Sequence, residues 1–132
     1  MSDSKPPTSA GPAPGFAEHA NYNVELNAAP GEVTVWLDGE VICRTRSALE
    51  VRESRHPAVW YVPLADVDSA KLLGSATQTY CPFKGQASYH GIRTAKQDHP
   101  DVLWEYATPF DEVIGLRGYA GVYADRVDKI ES

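Results

Sequence analysis

The chain has 132 residues, a formal charge of -6 and a sequence pI near 5.1. That length suits one domain, since two would each be too small to bury a core. Phosphate-backbone binding needs a concentrated basic face, which this acidic sequence lacks, so nucleic acid is excluded as a partner.

Residues 1–15 hold four of the ten prolines and almost no large apolar side chain. They cannot bury enough surface to offset the entropy of ordering, and a disordered tail is expected there. No apolar run reaches the length of a signal peptide or a membrane span, which sets the expectation of a cytoplasmic protein with no membrane partner. The only cysteines, Cys43 and Cys81, sit in unlike surroundings, so no disulfide framework is expected. Residues 16–30 read as an ordered arm or an edge strand, on the alternation of Tyr22-Asn23-Val24-Glu25-Leu26.

From residue 31 to 132 a single β domain is expected. Glu32 to Leu37, the Asp38-Gly39 pair and Glu40 to Thr45 form the strongest hairpin signal, β-rich runs flanking a favoured turn. Ala48 to Glu53 and Ala58 to Val62 are the next two strands, paired across a turn containing His56-Pro57, which predicts an antiparallel meander. Val67, Ala70 and Leu73 are spaced for one or two helical turns closed by Gly74. Thr77 to Cys81, Ala87 to Arg93 and Val102 to Ala107 follow as strands. Pro109 with the acids Asp111 and Glu112 opens a short helix, and Gly118 to Tyr123 is the last strand. No βαβ repeat is visible, and the fold class is all-β with one or two short helical connectors.

The richest chemistry lies in Thr79-Tyr80-Cys81-Pro82-Phe83-Lys84-Gly85-Gln86-Ala87-Ser88-Tyr89, which crowds a thiol, an amine, two phenols and hydroxyls around a Pro and Gly bend. Lys84 beside Gly85 suits an anionic group approaching the backbone. Arg52, Glu53 and His56 put a guanidinium, a carboxylate and an imidazole at one strand end, a set that grips a carboxylate, moves a proton or ties down a turn. Tyr61, Tyr80 and Tyr89 supply aromatic walls with polar tips. No metal site is expected: neither cysteine has a partner two or three residues away, and His19, His56, His90 and His99 are scattered. No cofactor is expected either. The phosphate-loop spacing and paired aspartates that would serve a nucleoside triphosphate are absent.

Four blocks in order carry a family resemblance: Val41-Ile42-Cys43 with Ala48-Leu49-Glu50-Val51-Arg52-Glu53, then His56-Pro57-Ala58-Val59-Trp60-Tyr61-Val62-Pro63, then Thr79 to Tyr89, and Val122-Tyr123-Ala124-Asp125-Arg126-Val127. Over roughly Val33 to Val127 the chain resembles the domain of unknown function 427 family, which also carries a legacy nucleotidyltransferase label. The resemblance implies two packed antiparallel sheets in a tent-like arrangement, with a pocket.

The leading expectation is a pocket between the sheets for a small anionic or polar-aromatic metabolite, lined by Arg52, His56, Tyr61, Tyr80, Lys84 and Tyr89. The alternative is an enzyme with Cys81 as nucleophile or redox centre and His56 or His90 as base. Alternation past Tyr89 places His90 on the opposite sheet face from that tyrosine. A third reading is a structural module or homodimer joined by sheet edges or aromatic faces.

Overall fold

The computed structural model describes residues 9–132. Among these, eleven strands form two antiparallel sheets. The small sheet runs β11(Lys129–Glu131), β2(Val33–Leu37), β3(Glu40–Thr45). The large one runs β1(Val24–Ala28), β4(Leu49–Glu53), β5(Val59–Pro63), β10(Tyr119–Val122), β9(Asp98–Glu105), β8(Gly85–Arg93), β6(Leu72–Leu73), with β7(Gln78–Cys81) also paired to β8. A five-residue helix, α1(Pro14–Glu18), precedes β1. The fold is therefore all-β, as the strand pattern and the resemblance imply.

Asp38 and Gly39 both take positive φ, 52° and 76°, the backbone a two-residue hairpin turn requires between twisted strands. The hairpin's inward residues Val33, Val35, Leu37 and Ile42 pack with Val62, Ile92, Leu103, Ala120 and Val122 of the large sheet, which makes the main core. Val51, Tyr61, Ala87 and Tyr106 point to the other face of that sheet, where Val113 and Leu116 of the 3-10 segment Asp111–Leu116 cover them. Alternation along β5 serves both cores, with Val62 facing the first and Tyr61 the second.

The expected meander does not extend from β3 to β4. Ala48, 1% exposed, marks the crossing from the small sheet to the large one, because β2 and β3 bury their apolar residues in the first core while Val51 belongs to the second. The stretch expected as helical turns from Val67 to Leu73 divides into the 3-10 turns Leu64–Asp66 and Ser69–Lys71 and the short strand β6. Val67 interrupts it: that residue is buried and bridges to Cys43 in extended conformation. β9 starts earlier than its apolar residues suggest and carries an irregular register opposite His90 and Ile92, where Asp101 has φ 49°. β11 leaves no mark in the sequence, because three residues show too little alternation.

Of the expected tail, residues 1–8 lie outside the described residues. Residues 10–15 are tied to the domain: Ala10 N–H donates to Pro109 O, Gly11 O accepts from Asp111 N–H, and Gly15 N–H donates to Pro82 O at 2.9 Å. Backbone hydrogen bonds and the small side chains of this stretch hold it without a large apolar anchor. β1 is the edge strand of the large sheet, paired with β4 from Val24 to Glu53 through Ala28 to Leu49.

Candidate functional site

Three segments converge on Glu53. The alternation that puts Val51 in the second core puts Glu53 on the same face, at the end of β4. The turn from β7 into β8 brings Lys84, held by its N–H to Cys81 O and its carbonyl to Phe110 N–H. The arm leading out of α1 brings Tyr22. Lys84 is 6% exposed, and its Nζ lies 2.6 Å from Glu53 Oε1. The Tyr22 hydroxyl donates to Oε2, so both carboxylate oxygens are satisfied. Buried charges persist when they are paired and hydrogen-bonded, as these are.

Burial pushes the Glu53 carboxyl up, but hydrogen bonds from Lys84 and Tyr22, with the charges of Lys84 and His56, outweigh it and hold the group below its ordinary range. Burial, then the bond to Glu53, raises the Tyr22 phenol, which stays protonated as a donor. A depressed carboxyl in the folded state means that the unfolded chain binds the extra proton as acid is added. Stability from this group is therefore full above about pH 4.3 and falls as pH drops through the folded-state value. Urea melts across pH 2–6 should show this acid loss, and Glu53→Gln should flatten it; an unchanged slope in the variant would contradict the pairing.

Above this triad sits an aromatic cluster. Phe83 stacks on Tyr22 with centroids 3.8 Å apart and a 12° interplanar angle, and Phe16 meets Phe83 edge-on at 5.1 Å. Gly15 lies so close to the Phe83 ring that a Cβ there would come within 2.7 Å of it. Beside the cluster a groove of about 510 Å³ is lined by Glu18, His19, Tyr22, Ser54, Arg55 and Phe83. Arg55 is held in left-handed backbone, φ 69°, and its charge reaches the Tyr22 phenol.

Of the expected site residues, Lys84 and His56 lie around Glu53, and Cys81 lies toward Tyr22. Cys81, half-buried, lies within electrostatic reach of Tyr22, Tyr61 and Tyr106, and His56 within reach of Glu53. The remaining expected site residues are placed elsewhere. Arg52 points out of the sheet to Glu50, 2.9 Å away, with its side chain 61% exposed. Tyr80 is also 61% exposed and meets Phe110 edge-on. Tyr61 is buried and accepts a hydrogen bond from Trp104 Nε1 at 3.1 Å. Tyr89 shares hydroxyl contacts with Thr79 at 3.0 Å and Tyr123 at 3.4 Å. Burial and the bond to Tyr89 push the Tyr123 phenol up to about 12. His90 lies on the opposite face, 2.9 Å from Glu105. Tyr22 and Arg55 are central here and were not among the expected site residues, while Glu53 was expected only within the Arg52, Glu53 and His56 set and Phe83 only as part of the Thr79 to Tyr89 stretch; counting alternation from Val51 places Glu53 inward, whereas nothing local ties Tyr22 to it.

A second cavity, about 630 Å³, opens between the β2–β3 turn, the start of β9 and residues 125–128. Its acids serve the fold. Asp38 binds His99 Nε2 at 2.7 Å and Thr94 Oγ1 at 2.5 Å, and Asp128 accepts from the Asp38 and Gly39 amides at 3.0 and 2.8 Å. Among the described residues no group of three or more His, Cys, Asp or Glu is placed to hold a metal ion, and no helix is long and apolar enough to cross a membrane.

A family model described as a domain of unknown function, DUF427, matches residues 25–132. No curated protein matches the chain. The matched span contains Glu53, Phe83 and Lys84, whereas Gly15, Phe16, His19 and Tyr22 precede it.

Proposed function

The chain belongs to the DUF427 family, and because that description leaves the activity open, we propose that this member is a small-molecule binding domain whose ligand is a small anionic ring compound held in the groove between the arm and Phe83. One observation carries the reading: a cavity of ligand size sets the Arg55 guanidinium and the His19 imidazole beside a stacked aromatic pair. Arg55 is always charged, and its planar fork matches a carboxylate or phosphate. The rings offer the flat apolar surface on which the body of the ligand rests. Lys84 is neutralised by Glu53 and serves as support beneath the floor.

A panel of aromatic carboxylates and aryl phosphates, read by thermal denaturation, tests this. A one-site ligand at a hundredfold excess over its Kd adds about 2.7 kcal/mol of stability, and Arg55→Ala should abolish the gain. A panel without shifts, or equal shifts in Arg55→Ala, overturns it.

Cys81 lies within electrostatic reach of Tyr22, and His56 within reach of Glu53, to which Tyr22 is bonded; this supports a second reading, thiol chemistry with His56 as base. Its test is iodoacetamide alkylation of the folded protein across pH. Labelling only after denaturation, or labelling indifferent to His56→Ala, contradicts it.

A further inference from the structure

Tyr22 is bound the way a ligand is bound. Its ring lies flat on Phe83, its hydroxyl donates to a carboxylate oxygen that has no other hydrogen-bond partner among the described residues, and its edge meets Phe16. The receiving surface, Phe83 with Glu53 and Lys84, belongs to the span that matches the family, whereas Tyr22 belongs to the arm that precedes it. Apart from the ring contacts, the arm is held at its two ends. Ala13 N–H donates to Glu112 Oε1 and Gly15 N–H to Pro82 O at one end, Asn23 pairs with Ser54 at the other, and Glu18, His19, Ala20 and Asn21 between them are exposed.

We infer that the surface under Tyr22 is a subsite for a planar ring bearing an N–H or O–H donor, which the protein's own Tyr22 fills as an internal stand-in until a ligand displaces it. The inference rests on the groove reading above and extends it inward: the ring takes the place of the phenol, its donor goes to Glu53 Oε2, and an anionic substituent projects into the groove toward Arg55. The chemistry is selective. Lys84 fixes Glu53 as an ionised acceptor, so a ring presenting only acceptors sets lone pairs against the carboxylate, and a ring with no polar group leaves Oε2 without a partner. A phenol or an amino-substituted heterocycle satisfies both the stack and the acceptor.

The experiment uses neutral probes, so that it does not depend on Arg55. Tyr22→Ala vacates the subsite in the full chain; p-cresol and toluene, nearly equal in shape, are titrated into it by calorimetry or by proton NMR. The expected result is that p-cresol binds the variant at least tenfold tighter than it binds the wild type and at least tenfold tighter than toluene does. Adding Glu53→Gln should remove most of that preference. Equal binding of the two probes means an apolar hole only and overturns the inference, as does no binding to a folded variant.

If Tyr22→Ala does not fold, the wild type decides. Saturating 4-hydroxyphenylacetate should speed hydrogen exchange of the Gly15 amide at least tenfold as the arm lifts, and unchanged exchange overturns the inference. Binding of p-cresol to Tyr22→Ala with no anionic ligand found for the wild type would leave the subsite standing and remove the anion reading; the opposite pattern would do the reverse.

Discussion

Replacing Lys84 with methionine is expected to destabilise the fold by about 3–5 kcal/mol, the cost of leaving one partner of a buried ion pair uncompensated. Methionine keeps the length and apolar stem, so the loss isolates the ammonium. Glu53 would then keep Tyr22 as its sole hydrogen-bonding partner in a site where its own side chain is 16% exposed. The carboxyl responds by taking up a proton more readily, and the arm, tied to it through Tyr22, loosens with it. Adding Glu53→Gln to Lys84→Met should recover part of the loss, because the unpaired charge is gone, and the cycle should give a coupling of roughly 0.5–3 kcal/mol. Urea denaturation of the four proteins measures it. A loss under about 1 kcal/mol for Lys84→Met would show that the pair is solvated and the triad is not buried as described.

Gly121→Ala is the second large effect, expected to cost about 3 kcal/mol, at the upper end of ordinary overpacking. Gly121 sits in β10 opposite Tyr61 of β5 and Trp104 of β9. The indole lies across it so closely that an added Cβ would come within 2.3 Å of the ring. Trp104 has no easy retreat. Its Nε1–H is bound to the Tyr61 hydroxyl, and its ring packs at 4.4 Å from Tyr123. Displacing it breaks the hydrogen bond and opens the second core beneath the site. In a Trp104→Leu background the same Gly121→Ala change should cost under about 1 kcal/mol, since the clash is gone. Guanidinium melts, with near-ultraviolet circular dichroism to report the indole, provide the readout; an equal cost in both backgrounds would place the strain elsewhere.

The hairpin, the strand after it and the turn chemistry at Asp38-Gly39 were legible because period-two burial and positive φ leave local marks in the sequence. The division of strands between two sheets was not, since β3 and β4 look alike along the chain and differ only in which core their apolar residues face. Among the site residues, Lys84, Cys81 and His56 stood out as reactive types; Lys84 binds Glu53, His56 lies within reach of its charge, and Cys81 lies within reach of Tyr22. Arg52 and Tyr80 stood out for the same reason and fall on outward positions. Arg52 is one step out of phase with Val51 and Glu53, so alternation alone separates them. Tyr22 lies 31 residues before Glu53, and only tertiary packing joins them. A composition rich in Pro, Ala and Gly also hid the attachment of residues 10–15, because backbone bonds hold them where side chains do not.

The most direct measurement is an NMR titration of the isotope-labelled wild-type protein with 4-hydroxyphenylacetate, a planar donor-bearing ring with an anionic tail. Saturable amide shifts are expected at Gly15, Tyr22, Ser54, Arg55 and Phe83, with His99 and Asp128 of the second cavity unmoved. Shifts that saturate at the second cavity instead, or a spectrum unchanged at millimolar ligand, would contradict ligand binding in the groove.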